Sequence, residues 1–130
     1  MKIIDASGAR LGRLASYVAK EALKGEEFAI LNCEEIIISG NKKQIKEKFD
    51  KKRRMIGSGQ RGPKHPKPSH MIVKRTIRGM LPEHRFGRGR EVFKKIKCYN
   101  KIPAEFKDKE KITAGKEKPI KFSKVGEFTK

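Results

Sequence analysis

The first 31 residues carry the pattern that most constrains the fold. Segment 2–5 is predicted to be a short strand, and the nearly all-apolar segment 28–31 a second strand buried on both faces. Between them, apolar residues recur at helical spacing, at Leu11, Leu14, Ala15, Val18, Ala19 and Ala22. This helix is predicted over about residues 9–24, with Gly25 as its C-terminal cap. A strand, a helix and a strand within about thirty residues predict a βαβ unit with parallel strands.

The middle of the chain is predicted to hold three further helices. Asn41 can cap the first of them, whose thin apolar stripe consists of Ile45, Phe49 and Ile56. Ser69 can cap the next, and Pro82 stops it. The last begins near Gly89 and buries Val92, Phe93 and Ile96.

The remaining segments are predicted from composition and length. Segment 34–39 is expected to form either a third strand or a short helical turn, and 97–101 a strand. Segment 57–70 contains too many glycines and prolines for regular structure, so an extended basic loop is expected there. Residues 1–103 are predicted to form a single domain, and 104–130 an irregular C-terminal extension. That extension is expected to be anchored at most by Phe106, Ile120 and Phe122.

Positive charge is concentrated in residues 42–101. This basic block holds 21 of the 34 Lys and Arg residues and only 4 of the 15 acids, so its net charge is +17 out of +19 for the whole chain. Residues 1–41 are nearly neutral by comparison, at −1. Such one-signed charge opposes folding through self-repulsion, so a polyanion is the expected partner. Folded RNA is favoured over duplex DNA, because no helix-turn-helix or zinc module is visible.

Other chemistries find little support in the sequence. Gly8 and Gly12 lie at a strand-to-helix turn, but their spacing is that of neither a dinucleotide-binding nor a Walker motif. They predict either a tight turn or, with Arg10 and Arg13, a helix N-terminus that binds a phosphate. The three histidines lack a second ligand at helical spacing, so no metal is expected. We expect no catalytic site, no cofactor, no small-molecule substrate and no membrane span.

The segment Lys74–Pro82, with the sequence KRTIRGMLP, closely resembles the universal large-subunit ribosomal protein L-thirteen family in its archaeal form. Further similar segments are 5–8, 11–16, 31–34, 38–42 and 87–90. The resemblance implies a three-layer α/β/α domain with a four-stranded, mainly parallel sheet. It also implies a cytoplasmic protein of the ribosome that binds large-subunit ribosomal RNA early in assembly and contacts neighbouring ribosomal proteins.

We therefore expect a non-catalytic structural component of the ribosome. The alternatives are an RNA-modifying enzyme, for which neither a cofactor loop nor an acid–base pair is visible, and a regulatory RNA-binding protein acting outside the ribosome. Sixteen residues are expected to contact RNA, mainly at its phosphates. They are Arg10, Arg13, Lys42, Lys43, Arg53, Arg54, Arg61, Lys64, His65, Lys67, Lys74, Arg75, Arg78, Arg85, Arg88 and Arg90.

Overall fold

The computed structural model describes residues 1–55 and 57–128; Ile56, predicted for the apolar stripe of the second helix, lies outside them. The helices are α1 (Leu11–Leu23), α2 (Lys42–Arg54), α3 (Ser69–Met80) and α4 (Gly87–Lys94). The strands are β1 (Lys2–Asp5), β2 (Phe28–Leu31), β3 (Ile37–Ser39), β4 (Ile96–Cys98), β5 (Ile112–Thr113) and β6 (Phe122–Lys124). No helix in the described part of the chain is long and apolar enough to cross a membrane.

The central sheet has the strand order β4-β2-β1-β5, and its neighbouring strands all run parallel. Ile3 pairs with Ala29, and Ile30 with Cys98, so β2 lies between β1 and β4. The predicted βαβ unit is thus present, with α1 between two adjacent parallel strands. The four-stranded, mainly parallel α/β fold is confirmed.

The two faces of the sheet are covered unequally, and successive side chains along each strand point to opposite faces. On one face, Ile4, Phe28 and Ile30 join the main hydrophobic core with residues of α1, α3 and α4. On the other face, Ile3, Ala29 and Leu31 form a smaller cluster with Phe106. A single 3-10 turn, Ala104–Phe106, therefore contributes the buried aromatic residue of the thinner layer.

Segment 34–39 was predicted to form either a strand or a short helical turn, and both structures are present. Cys33–Glu35 is a 3-10 turn, and β3 begins after one intervening residue, Ile36. β3 does not join the central sheet but pairs antiparallel with β6 in a separate two-stranded sheet. The C-terminal segment thus supplies the partner of a strand that lies more than eighty residues earlier.

The C-terminal segment differs from the irregular extension expected for it. It adds β5 to the edge of the central sheet and β6 to β3. Phe106 is buried as predicted, but Ile120 is fully exposed and Phe122 is 44% exposed. The other buried residues of this segment are Val125 and Phe128. β5 and β6 were not predicted because two or three residues are too few to show the alternation of apolar and polar side chains typical of a strand. Their pairing also depends on partners that are distant in the sequence.

The observed helix ends agree with those predicted from the sequence to within one or two residues. The side chain of Asn41 accepts a hydrogen bond from the backbone N–H of Lys43 at 3.1 Å, which confirms the predicted cap of α2. At α3, however, Pro68 occupies the cap position, and Ser69 is the first helical residue with its side chain buried. α4 begins at Gly87 and ends at Lys94, so Ile96, which was predicted on its buried face, lies in β4 instead. β4 ends at Cys98, three residues before the predicted end of this strand at residue 101.

Candidate nucleic-acid interface

A cleft of about 570 Å³ lies between α2 and α3 and is bordered by the basic loop. Its apolar lining includes Ile45 and Phe49 of α2 and Ile72 of α3. Its polar lining is dominated by cationic and imidazole side chains, namely Lys48, Lys52, His65, Arg75, Arg78 and His84. No Asp or Glu is among the described residues that line it. The cleft therefore combines an apolar floor with positive charge that no carboxylate of its lining offsets.

The helical period explains how α2 lines this cleft. Ile45 is buried and Phe49 half-buried, so this face of α2 packs toward the core. Lys48 and Lys52 follow Ile45 by three and seven residues, which places them on the same side of the helix. Their long aliphatic stems can pass over the apolar floor and leave the ammonium groups at the rim.

α3 forms the opposite wall because its apolar residues point into the core. Ile72, Val73 and Ile77 are buried, whereas Arg75 and Arg78 are half-exposed. A second cleft, of about 420 Å³, lies on the other side of these two arginines and includes Met71 and Phe93. The described lining of this cleft also lacks an acid, and it shares His65, Arg75 and Arg78 with the first.

Two further lysines belong to the second cleft. Lys64 comes from the basic loop and Lys74 from α3. The Nζ atom of Lys74 lies 5.0 Å from the centroid of the Phe93 ring, a cation–π distance that orients the ammonium group. Arg75 and Arg78 thus stand between two basic clefts and can contact a polyanion in either.

The electrostatics of His65 and Arg75 reflect this crowding of positive charge. An Nη atom of Arg75 lies 3.4 Å from Nε2 of His65, within hydrogen-bonding distance. Burial and then the charges of Arg75, Lys52 and Arg53 lower the pKa of His65. Burial and then the charge of Arg78 lower the pKa of Arg75. Each shift disfavours the protonated form, and a bound phosphate would offset the part of it that comes from neighbouring positive charges.

The structure brings together five of the sixteen residues expected to contact RNA. Lys64, His65, Lys74, Arg75 and Arg78 line the two clefts. Six others are exposed elsewhere, namely Lys43, Arg54, Arg61, Lys67, Arg85 and Arg90. The remaining five make contacts within the protein.

Arg53 is the most enclosed of those five. Its side chain is 14% exposed and lies 3.7 Å from the carboxylate of Asp50. It donates hydrogen bonds to the backbone oxygens of Phe128 at 3.3 Å and Pro66 at 3.5 Å. Its guanidinium carbon also lies 5.6 Å from the centre of the Phe49 ring. Arg53 therefore joins α2 to the loop and to the C-terminal segment.

The two arginines of the predicted phosphate site at the start of α1 pair with a carboxylate of the chain itself. Arg10 and Arg13 both form ion pairs with Glu117, the former at 3.3 Å. The backbone N–H of Arg10 also donates to Gly115 at 3.0 Å. These contacts hold segment 115–117 over the helix N-terminus.

Lys42 and Arg88 also have partners within the protein. Lys42 forms an ion pair with Glu127 at 3.3 Å. Arg88 donates a hydrogen bond to the backbone oxygen of Leu23, which links the first turn of α4 to the end of α1. Their charges nevertheless remain largely exposed to solvent, as does that of Arg13.

Three cleft residues were absent from the set expected to contact RNA, namely Lys48, Lys52 and His84. For the two lysines a signal existed, because their spacing from Ile45 places them beside the apolar stripe of α2. His84 has no such signal, since it lies between two helices and only the tertiary fold brings it to the cleft. Among the described residues, no three His, Cys, Asp or Glu side chains are placed to hold a metal.

Comparison with known proteins shows that this chain is a ribosomal protein. The family described as ribosomal protein L13 matches residues 1–105, and the chain belongs to that family. Archaeal relatives are each described as large ribosomal subunit protein uL13. The protein of Methanosarcina barkeri is 47% identical over 114 residues, covering 87% of this chain and 80% of the relative.

Two other archaeal relatives are similarly close. The protein of Thermoplasma acidophilum is 45% identical over 112 residues, or 86% of this chain and 80% of the relative. That of Methanocaldococcus jannaschii is 45% identical over 116 residues, or 87% and 84%. The expected archaeal type is confirmed, and so is the expectation of a structural protein rather than an enzyme, since the family is one of ribosomal proteins.

Proposed function

We propose that this chain is a structural constituent of the large ribosomal subunit that binds ribosomal RNA through the two basic clefts on either side of Arg75 and Arg78. The observation that carries the proposal is that both clefts are lined by cations without a carboxylate among their described residues. Membership of a ribosomal-protein family, and relatives that are named as large-subunit proteins, support the same assignment.

The mechanism is the neutralisation of crowded RNA phosphates by cations that the protein holds at fixed positions. Arg75 and Arg78 present planar guanidinium groups that suit bidentate phosphate contacts, while Lys48, Lys52 and Lys74 add point charges. Because α3 packs on the central sheet through Ile72, Val73 and Ile77, these charges have a fixed spacing. A fixed spacing selects RNA segments whose phosphates converge, and thereby holds those segments together during early subunit assembly.

The exposed cations outside the clefts extend this contact surface. Six of them contact RNA from α2, the basic loop and the region of α4, namely Lys43, Arg54, Arg61, Lys67, Arg85 and Arg90. Arg10, Arg13, Lys42 and Arg88 contribute through the parts of their side chains that remain exposed. Arg53 acts instead by positioning the loop, since its guanidinium is bound within the protein. The chain acts in the cytoplasm within the ribosome, where neighbouring ribosomal proteins complete its surroundings.

Sucrose-gradient sedimentation of a tagged chain in an archaeal host tests this function. We expect the protein to sediment with large subunits and their precursors. The double variant Lys52→Gln/Arg78→Gln should shift toward the top of the gradient, whereas Lys20→Gln, which removes an exposed charge of α1, should not. A wild-type chain found only in the free fraction would contradict ribosomal function and favour a regulatory RNA-binding protein.

A further inference from the structure

Phe86 stands out as the most exposed aromatic side chain in the described part of the protein. It is 68% exposed, against 44% for Phe122 and 36% for Tyr17. Exposing an apolar ring to water is unfavourable relative to burying it. The ring therefore offers a contact that its own chain leaves unused.

The backbone around Phe86 is held in place by close packing. Phe86 occupies the N-cap position of α4, and Gly89 in the first turn of this helix is buried. A Cβ atom at Gly89 would overlap the carbonyl oxygens of Pro82 and Glu83, so the loop before Phe86 lies directly against the helix. The hydrogen bond from Arg88 to Leu23 fixes the same turn to α1. Phe86 thus lies at a position whose backbone is held by packing against α4 and by a hydrogen bond to α1.

The chemistry around the ring indicates what kind of partner it meets. Arg85, Arg88 and Arg90 are all exposed and flank Phe86 in the sequence. Proteins that bind single-stranded RNA combine such cations, which contact the backbone, with aromatic rings on which unpaired bases stack. A protein partner would need to bring carboxylates to the same corner, and nothing in the structure favours one.

We propose that Phe86 is a stacking platform for an unpaired RNA base, with Arg85 and Arg90 contacting the adjoining phosphates. The inference rests on the proposed function, and adds to it a specific contact outside the two clefts. Because a phenyl ring carries no charge, this contact contributes to affinity without contributing to its dependence on salt. Every base has a flat π face, so the platform selects an unpaired nucleotide rather than a particular base.

The test is binding of the full chain and its variants to deproteinised archaeal large-subunit rRNA, measured at several salt concentrations. Phe86→Ala should weaken binding by roughly tenfold, as expected for loss of one stacked base, with an unchanged salt slope. Phe86→Tyr should bind like the wild type, whereas Phe86→Leu, which keeps apolar surface without a ring, should bind like Phe86→Ala. Phe122→Ala serves as the matched control, and thermal melting confirms that each variant folds.

Ultraviolet cross-linking followed by mass spectrometry gives a second readout. We expect a nucleotide attached to the peptide that contains Phe86 in the wild type. If Phe86→Ala and Phe86→Leu bind as tightly as the wild type while the salt slope stays steep, stacking is overturned but the proposed function stands. If Phe86→Ala binds rRNA with normal affinity but is incorporated poorly into large subunits, stacking is overturned in favour of a contact with a protein. A wild-type chain that fails to bind rRNA at all would overturn the proposed function itself.

Discussion

At the scale of single residues, the carboxylate of Asp5 accepts three hydrogen bonds at the end of β1. Its Oδ1 atom accepts hydrogen bonds from the Asn32 side chain at 2.9 Å, and from the backbone and hydroxyl of Ser7 at 3.1 and 2.9 Å. Burial, the largest single influence, raises the pKa of Asp5, but these bonds outweigh it and the pKa lies below its usual value of 3.8. Asp5 therefore joins the ends of β1 and β2 in its ionised form.

Asp5→Ala should lower the free energy of unfolding by about 1–3 kcal/mol at pH 6, because half-buried donors lose their acceptor. A carboxylate whose pKa is lowered by folding stabilises the protein above its unfolded pKa, and that contribution is lost as the pH falls through the folded value. The difference between variant and wild type should therefore shrink below pH 3.8. Urea unfolding across this range measures it, with exposed Asp108→Ala as the control. A difference independent of pH would contradict the ionised bond network.

Gly89 and Gly12 make a matched pair of helical glycines. A Cβ atom at Gly89 would overlap two backbone oxygens, whereas one at Gly12 meets nothing within 4 Å. Gly89→Ala should therefore cost roughly 1–3 kcal/mol of stability, as overpacking does. Gly12→Ala should be neutral or stabilise by about 0.4–1 kcal/mol, because alanine restricts the unfolded chain. Equal effects of the two substitutions in thermal unfolding would show that the loop before α4 is not closely packed.

At the scale of elements, the C-terminal segment pairs with β1 and β3 and packs against α2. Phe128 is buried and stacks on Phe49 of α2, with ring centroids 5.4 Å apart. Phe128→Ala should cost about 3–5 kcal/mol of stability, as for other buried aromatic residues. Phe122→Ala, in the exposed part of β6, should cost at most about 1 kcal/mol. Chemical denaturation of both variants tests this, and a mild effect of Phe128→Ala would support an independent tail.

The same elements show how far the sequence alone could predict the structure. The βαβ unit and α3 were predictable because a long apolar stripe and flanking glycines or prolines act within a short stretch of chain. β5 was not, since two residues carry no period and their pairing with Ile4 and Asp5 depends on tertiary contacts. At the candidate site, helical spacing predicted that Arg75 and Arg78 lie on the face of α3 opposite its apolar residues, and both are half-exposed there. The ion pairs of Arg10 and Arg13 with Glu117 join residues more than one hundred positions apart, and no local pattern signals them.

At the scale of the whole molecule, the charge distribution has a structural counterpart. The nearly neutral residues 1–41 supply β1, α1 and β2, whose buried side chains form much of the core. The basic block supplies the helices that line the two clefts. The C-terminal acids Glu117 and Glu127 pair with Arg10, Arg13 and Lys42. None of these three cations lines either cleft, so the two acids leave the clefts unneutralised. The molecule thus separates a neutral scaffold from a surface suited to a polyanion.

The most direct test of whether this surface binds RNA by neutralising phosphates is the salt dependence of its binding to a purified large-subunit rRNA fragment. If about six phosphates are contacted, the logarithm of affinity should fall with the logarithm of salt concentration with a slope near −4. Lys52→Gln/Arg78→Gln should weaken binding and flatten this slope by roughly one unit. Lys20→Gln should leave it unchanged. A wild-type slope near zero would contradict the phosphate-neutralising mechanism.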